Sequence, residues 1–86
     1  MLIFRSQRFT RKYKKLPIYI QERFEQRLNL FMTNMHSPIL RLHKLKGDYS
    51  QCISIDITSD TRLVLEKVSF GVYKMRDIGT HSELYG

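Results

Sequence analysis

The sequence predicts an α+β fold, with an N-terminal strand, a helical hairpin and then a three-stranded antiparallel meander in one small sheet. Through the first half of the 86-residue chain, apolar residues recur with the 3.6-residue period of a helix. In the second half they alternate with the period of two that is typical of strands. Because the helices precede the run of strands, we expect both helices to pack on the same sheet. No linker, repeat or low-complexity stretch divides the chain, which predicts one domain over residues 1–86.

The N-terminal part of the chain predicts one strand and a two-faced helix. The apolar run LIFR, residues 2–5, predicts the strand, and Ser6 is a suitable N-cap for a helix over residues 7–15. The expected buried stripe of that helix consists of Phe9, Tyr13 and Leu16. About a third of a turn around the helix from this apolar stripe, four cationic residues follow the same helical spacing: Arg8, Arg11, Lys12 and Lys15. One helix therefore presents an apolar face and a basic face.

A second helix is predicted after Pro17, which ends the first helix and can occupy the first turn of the next. Five apolar residues share one face of it: Ile20, Phe24, Leu28, Phe31 and Met35. The meander strands are predicted at CISIDIT (52–58), TRLVLEKV (61–68) and VYKMRDIG (72–79). Thr80 and Glu83 have the spacing of a capping box, which predicts a short helical turn after the last strand.

Composition and charge narrow the classes of function. Cys52 is the only cysteine, so an internal disulfide is impossible and a reducing, cytoplasmic location is expected. No apolar run approaches the roughly 20 residues of a membrane span. Residues 1–46 contain eleven Lys and Arg against two acidic residues, whereas the remainder has a net charge of −2. This asymmetry predicts a basic face directed at a polyanion, with a merely solvated helix surface as the alternative.

Histidines are the first candidates for acid–base chemistry, because imidazole titrates near neutrality. The chain has three, His36, His43 and His81. His36 follows a helix end, where an imidazolium complements the helix dipole, and is assigned no catalytic role. No Cys/His spacing typical of zinc ligands is present, so no metal site is predicted.

Three segments together resemble the RelE/ParE superfamily of toxin–antitoxin toxins, and within it the YafQ-like mRNA interferases. They are LHKLKG (42–47), CISIDITSDTRLVLE (52–66) and DIGTHSELYG (77–86). The resemblance covers essentially the whole chain. It implies a ribosome-associated endoribonuclease that cleaves mRNA without a cofactor and is held inactive by a cognate antitoxin protein.

The resemblance also implies roles for individual residues. The catalytic set is His43, Asp60, His81 and Tyr85. Arg62 stands where relatives place a phosphate-contacting arginine. RNA or phosphate binding is further expected from the basic helix face (Arg8, Arg11, Lys12 and Lys15) and from Lys44 and Lys46. Three features depart from the pattern. Relatives can carry a histidine in place of Asp56, often place a glycine in segment 48–51, and commonly carry an aromatic in place of Leu65.

The chemistry of RNA cleavage gives independent reasons for this set. The 2′-hydroxyl can attack the adjacent phosphorus and expel the 5′-oxygen, which requires a proton acceptor, a proton donor and positive charge. Two histidines can serve as base and acid, in an order that the sequence leaves open. Asp60 can act as a base or orient an imidazole, and the guanidinium of Arg62 suits phosphate oxygens. Tyr85 offers a stacking surface for a base.

Two other functions fit parts of the sequence. A ParE-type toxin that inhibits DNA gyrase by protein binding would share the fold without catalysis. A catalytically silent RNA-binding module would use only the basic helices. The set of His43, Asp60 and His81 favours the nuclease, because a gyrase-binding protein does not need these side chains.

Overall fold

A computed structural model describes residues 1–85, and five strands and three helices lie within that range. Their order is β1 (Leu2–Arg5), α1 (Gln7–Tyr13), α2 (Ile18–Thr33), β2 (His43–Lys44), β3 (Cys52–Asp56), β4 (Thr61–Ser69), β5 (Val72–Thr80) and α3 (His81–Tyr85). Single 3₁₀ turns at Pro38–Leu40 and Gly47–Tyr49 flank β2. The predicted α+β class is confirmed. None of the helices within residues 1–85 is long and apolar enough to cross a membrane.

The sheet is larger than the predicted meander. Its strand order is β1-β5-β4-β3-β2, and β3, β4 and β5 form the expected antiparallel meander. However, β1 pairs in parallel with β5 and β2 pairs in antiparallel with β3, so the sheet is mixed and five-stranded. The prediction of a three-stranded sheet is therefore wrong. At two residues, β2 is too short to show an alternating pattern, and the sequence of β1 does not indicate its partner.

Local signals place the helix ends. The Phe9 amide donates to Ser6 Oγ at 3.0 Å, which confirms the predicted N-cap. Helix α1 ends at Tyr13, two residues earlier than predicted, because Pro17 disfavours helical backbone in the residue before it and the chain leaves the helix to reach it. Pro17 is then the N-cap of α2.

The two faces of the sheet have separate apolar clusters. Leu63 and Leu65 of β4 point into the main core beneath α1 and α2, which contains Phe9, Phe24, Phe31, Ile55, Ile57, Tyr73 and Met75. The intervening Val64 points to the opposite face, because side chains alternate along a strand. There Val64 forms a second cluster with Cys52 and Leu84, and Leu45 and Tyr49 pack against this cluster. Helix α3 therefore closes the face that α1 and α2 leave open.

Candidate active site

A cavity of about 280 Å³ opens on the α3 side of the sheet. Its lining residues come from β2, the following turn, β4 and α3: His43, Leu45, Lys46, Tyr49, Arg62, His81 and Tyr85. His43 reaches it because its strand partner in β3 is Ser54, which faces the same side as Val64. Of the predicted catalytic residues, the fold thus brings together both histidines and Tyr85, beside Arg62 and Lys46.

A reciprocal capping box holds α3 in place. The Thr80 amide donates to Glu83 Oε1 at 2.8 Å, and the Glu83 amide donates to Thr80 Oγ1 at 3.2 Å, which confirms the predicted cap. Gly79 leaves room for this carboxylate, since a Cβ there would lie 3.0 Å from Glu83 Oε1. The cap sets the start of a helix in which the His81 and Tyr85 rings pack edge to face with centroids 4.9 Å apart.

The same cap predicts a pH dependence confined to α3. Hydrogen bonds from the Thr80 backbone and side chain lower the pKa of Glu83. A carboxyl with a lowered pKa in the folded state contributes stability that is present above its unfolded pKa, about 4.3, and is lost as pH falls through the folded value. We therefore expect the Tyr85 ring to keep its NMR contacts with Tyr49 at pH values above the ordinary glutamate pKa, about 4.3, and to lose them only at lower pH. Glu83→Gln, which can accept the same hydrogen bond without titrating, should keep these contacts over that range; equal loss in both proteins would contradict the prediction.

A carboxylate on the neighbouring strand, that of Asp56, lies beside Arg62. From the sequence, Asp56 is only a position that differs from relatives. Asp56 and Arg62 are register partners, and Arg62 Nε lies 3.5 Å from Asp56 Oδ1. Asp56 is buried, and its second carboxylate oxygen lies 3.6 Å from Arg41 Nε. Arg62 Nη1 donates to the Asp60 carbonyl oxygen at 3.2 Å. The Arg62 guanidinium therefore has one hydrogen bond, to the Asp60 carbonyl oxygen, and one ion pair, with Asp56.

Asp60 is placed differently from the other predicted catalytic residues. Its side chain is exposed in the β3–β4 turn and is not among the groups that line the cavity. The Asp60 amide donates to Thr58 Oγ1 at 3.3 Å, and its carbonyl accepts from Arg62. Within residues 1–85, the contact of Asp60 with this site is therefore through its backbone.

Two lining residues, Leu45 and Tyr49, are absent from the sequence-based set. Tyr49 ends the turn at Gly47–Tyr49, in a segment with neither helical nor strand periodicity, so no local pattern marks it. Leu45 follows β2 directly, and its amide donates to the Cys52 carbonyl at 3.1 Å. The pairing of residues 43–45 with β3 cannot be recognised from the sequence. If it could, it would have predicted both β2 and the position of this loop beside the site.

No family model matches this sequence, and no curated protein does. Solved structures do match the fold. YafQ from E. coli strain BL21(DE3) superposes with a TM-score of 0.82 at 16% identity, covering 98% of this chain and 97% of that one. A YoeB/ParE toxin from Agrobacterium tumefaciens gives 0.76 at 16% identity, covering 94% and 99%. The E. coli DinJ-YafQ toxin-antitoxin complex gives 0.74 at 15% identity, covering 98% and 96%.

This chain has the RelE/ParE toxin fold. The fold that the sequence resemblance implies is thus confirmed, and YafQ is among the structures that share it. The last glycine of the DIGTHSELYG segment, Gly86, lies outside the described residues.

On this RelE/ParE fold the predicted basic residues separate into distinct locations. Lys46 lines the cavity, whereas Lys44 pairs with Ile53 and lines a different groove, of about 420 Å³, with Lys67 and Tyr73. Arg11, on α1, and Lys15, just beyond its end, are exposed. Arg8 and Lys12 contact Asp77, a carboxylate of β5 that is 2% exposed. Two of the four cations on the predicted basic helix face therefore have an ion-pair partner within the protein, although the Arg8 side chain remains 65% exposed.

The Asp77 contacts predict that substitutions of Lys12 and of Lys15 change the free energy of unfolding by very different amounts. Lys12 Nζ lies 2.6 Å from Asp77 Oδ1, and Arg8 Nε lies 3.2 Å from Oδ2. Lys12→Met leaves the buried carboxylate with Arg8 as its only charged partner, beside the hydrogen bond from the Ile78 amide. We expect this change to lower the free energy of unfolding by about 2 kcal/mol. Lys15→Met, the exposed control on the same segment, should change it by less than about 0.5 kcal/mol. Urea denaturation measures both, and equal midpoints would contradict the assignment.

Proposed function

We propose that this chain is the toxin of a type II toxin–antitoxin system and a metal-independent, ribosome-dependent endoribonuclease that cleaves mRNA. The observation that carries the proposal is the convergence of His43, Arg62 and His81 in one cavity. These residues come from three different elements. The fold is shared with YafQ and YoeB/ParE toxins, which supports the class of protein.

The proposed reaction uses the substrate's own 2′-hydroxyl as the nucleophile. One histidine removes the proton from that hydroxyl while the other protonates the departing 5′-oxygen, so no external nucleophile has to be generated. Charge that develops on the phosphorane oxygens lies beside the guanidinium of Arg62. Asp56, as the ion-pair partner, and Asp60, through its carbonyl oxygen, would keep that guanidinium oriented before the substrate arrives.

Induced expression with mapping of mRNA 5′ ends tests the proposal. We expect growth arrest accompanied by new 5′ ends within translated regions, and we expect these ends to disappear when translation initiation is blocked. Arrest with intact messages and inhibited DNA supercoiling would overturn the nuclease and favour the ParE-type alternative. Cleavage that persists without ribosomes would overturn the ribosome dependence alone.

The proposed partner is a cognate antitoxin. A nuclease that cleaves the host's messages requires an inhibitor, and the matching DinJ-YafQ structure is a toxin-antitoxin complex. We expect a small open reading frame beside this gene to encode the inhibitor. Co-expression of the two genes should abolish arrest and yield a complex on affinity purification. Arrest that continues in the presence of the co-expressed protein would exclude it as the antitoxin.

Ribosome docking is proposed for the exposed part of the α1 face. Arg11 and Lys15 are solvent-exposed and can contact ribosomal RNA phosphates, whereas Arg8 and Lys12 are drawn to Asp77. Replacing Arg11 and Lys15 together by glutamine should weaken ribosome binding and lower the slope of log affinity against log salt by about 1–2. Glu22→Gln plus Glu25→Gln on α2 provides a control of equal substitution number. An unchanged slope in the Arg11/Lys15 variant would rule out this docking surface.

A further inference from the structure

The corner between Tyr49 and Tyr85 has the form of a subsite for a flat aromatic group. Tyr85 is already expected to stack on a base. We propose that Tyr49 completes this subsite, which receives one nucleobase of the RNA next to the cleaved phosphodiester, and that Tyr49 is a further base-contacting residue of this chain. The inference rests on the proposed function, because it names the part of the substrate that this side of the cavity binds.

The geometry of the two rings defines the subsite. Their centroids are 6.0 Å apart and their planes meet at 89°, so the rings form a corner rather than a closed stack. Both side chains line the cavity that also contains His43, Arg62 and His81. A base entering this corner would stack on the face of one ring and meet the edge of the other, the two arrangements that aromatic groups prefer.

Tyr49 is anchored, although it belongs to a short turn. The Arg76 guanidinium carbon lies 5.0 Å from the centre of the Tyr49 ring. Arg76 is in turn held from the sheet, with Nη1 at 3.6 Å from Cys52 Sγ and 3.9 Å from Glu66 Oε1. Because a cation covers one side of the ring and Tyr85 meets it at a right angle, the orientation of Tyr49 is fixed before any ligand binds. Preorganised rings lose little conformational entropy on binding.

The neighbouring groups identify the ligand as part of a nucleic acid. An aromatic corner alone would accept many flat molecules, but this one lies beside Arg62 and Lys46, which suit phosphate oxygens. A base and its attached phosphodiester present these two chemistries at adjacent positions. Stacking on an aromatic side chain is typically worth enough to change affinity about tenfold per base.

Abasic substitution tests the inference directly. Short synthetic messages loaded on ribosomes would carry either the intact nucleotide or an abasic one at each position flanking the cut, and single-turnover kcat/KM would be measured. On the intact message, Tyr49→Leu should reduce kcat/KM about tenfold. At one position, removal of the base should reduce wild-type cleavage by a similar factor, and Tyr49→Leu should then have no further effect. Tyr49→Phe should remain within about twofold of wild type, since the ring is kept.

Controls distinguish the loss of base binding from a loss of stability and from a failure of the proposed function. Tyr19→Leu removes a tyrosine of α2 that is 69% exposed, and it should leave every rate unchanged. If Tyr49→Leu does not fold by thermal melting, Tyr49→Met, whose flexible chain fills similar space, replaces it. An equal loss on intact and abasic messages at all positions, or no loss on either, would overturn the base subsite. A wild-type protein that cleaves none of the messages would instead overturn the nuclease itself.

Discussion

Replacing His81 by alanine is expected to abolish mRNA cleavage and growth arrest while the fold and the binding of the antitoxin persist. His81 is exposed at the start of α3 and lines the cavity, so its imidazole is available for proton transfer and contributes little to the core. Loss of a general acid or base typically lowers the rate by about 10²–10⁴. The capping hydrogen bonds of α3 join Thr80 to Glu83 and do not involve the His81 side chain, so the helix should still form.

The matched control is His36→Ala. His36 is also an exposed histidine, but it lies in the segment between α2 and the Pro38–Leu40 turn and does not line the same cavity. It should retain full toxicity. Growth after induction, mapped 5′ ends, thermal melting and co-purification with the antitoxin would be measured for both variants. Full toxicity of His81→Ala with intact messages would show that the nuclease assignment is wrong.

Local sequence patterns were sufficient to predict the elements that position His81. The Ser6 cap, the period of α2 and the Thr80–Glu83 capping box depend on residues at most a few positions apart, and the structure confirms each. Pairings between distant segments were not predictable in this way. The parallel pairing of β1 with β5 joins the two ends of the chain, and neither strand's composition specifies its neighbour.

Charge partners were the least predictable part of the candidate site. The spacing of Arg8 and Lys12 with Arg11 and Lys15 gives a continuous basic face, and nothing local indicates that two of these four cations form ion pairs with Asp77. Likewise, the sequence indicates no partner for Arg62, whereas the structure has the Asp56 carboxylate beside it. Periodicity assigns residues to faces, but which opposite charges meet depends on strand register, which the sequence analysis did not determine.

The placement of Asp56 also connects stability with function. A buried carboxylate next to two arginines is stabilised only while both guanidiniums stay near it, and Arg62 is one of them. A phosphate that binds Arg62 would meet a guanidinium already aligned by Asp56 and by the Asp60 carbonyl. On the proposed function, Asp56 would serve to position Arg62, where a histidine at the same place would give a proton donor.

A chain that ends at Ser82 is expected to lose cleavage before it loses its fold. The deletion removes Glu83 and with it the reciprocal cap, as well as Tyr85, whose ring packs 4.9 Å from that of His81. His81 would remain in the sequence without the helix that orients it, so we expect at least a hundredfold lower cleavage. The main core lies on the other face of the sheet and contains none of the deleted residues.

The chain that ends at Ser82 should lose only the stability that comes from the small cluster covered by Leu84. Removing this side chain exposes Val64 and Cys52, which we expect to lower the free energy of unfolding by about 2 kcal/mol and the melting temperature by roughly 10 °C. Tyr85→Leu in the full-length chain separates the two effects, because it keeps Glu83 and Leu84 and should retain the melting temperature while losing the stacking surface. Cleavage at full rate by the chain ending at Ser82 would refute any role for Tyr85. Unfolding of that chain at room temperature would show that α3 is needed for the fold, since the core beneath α1 and α2 would then be insufficient without Leu84.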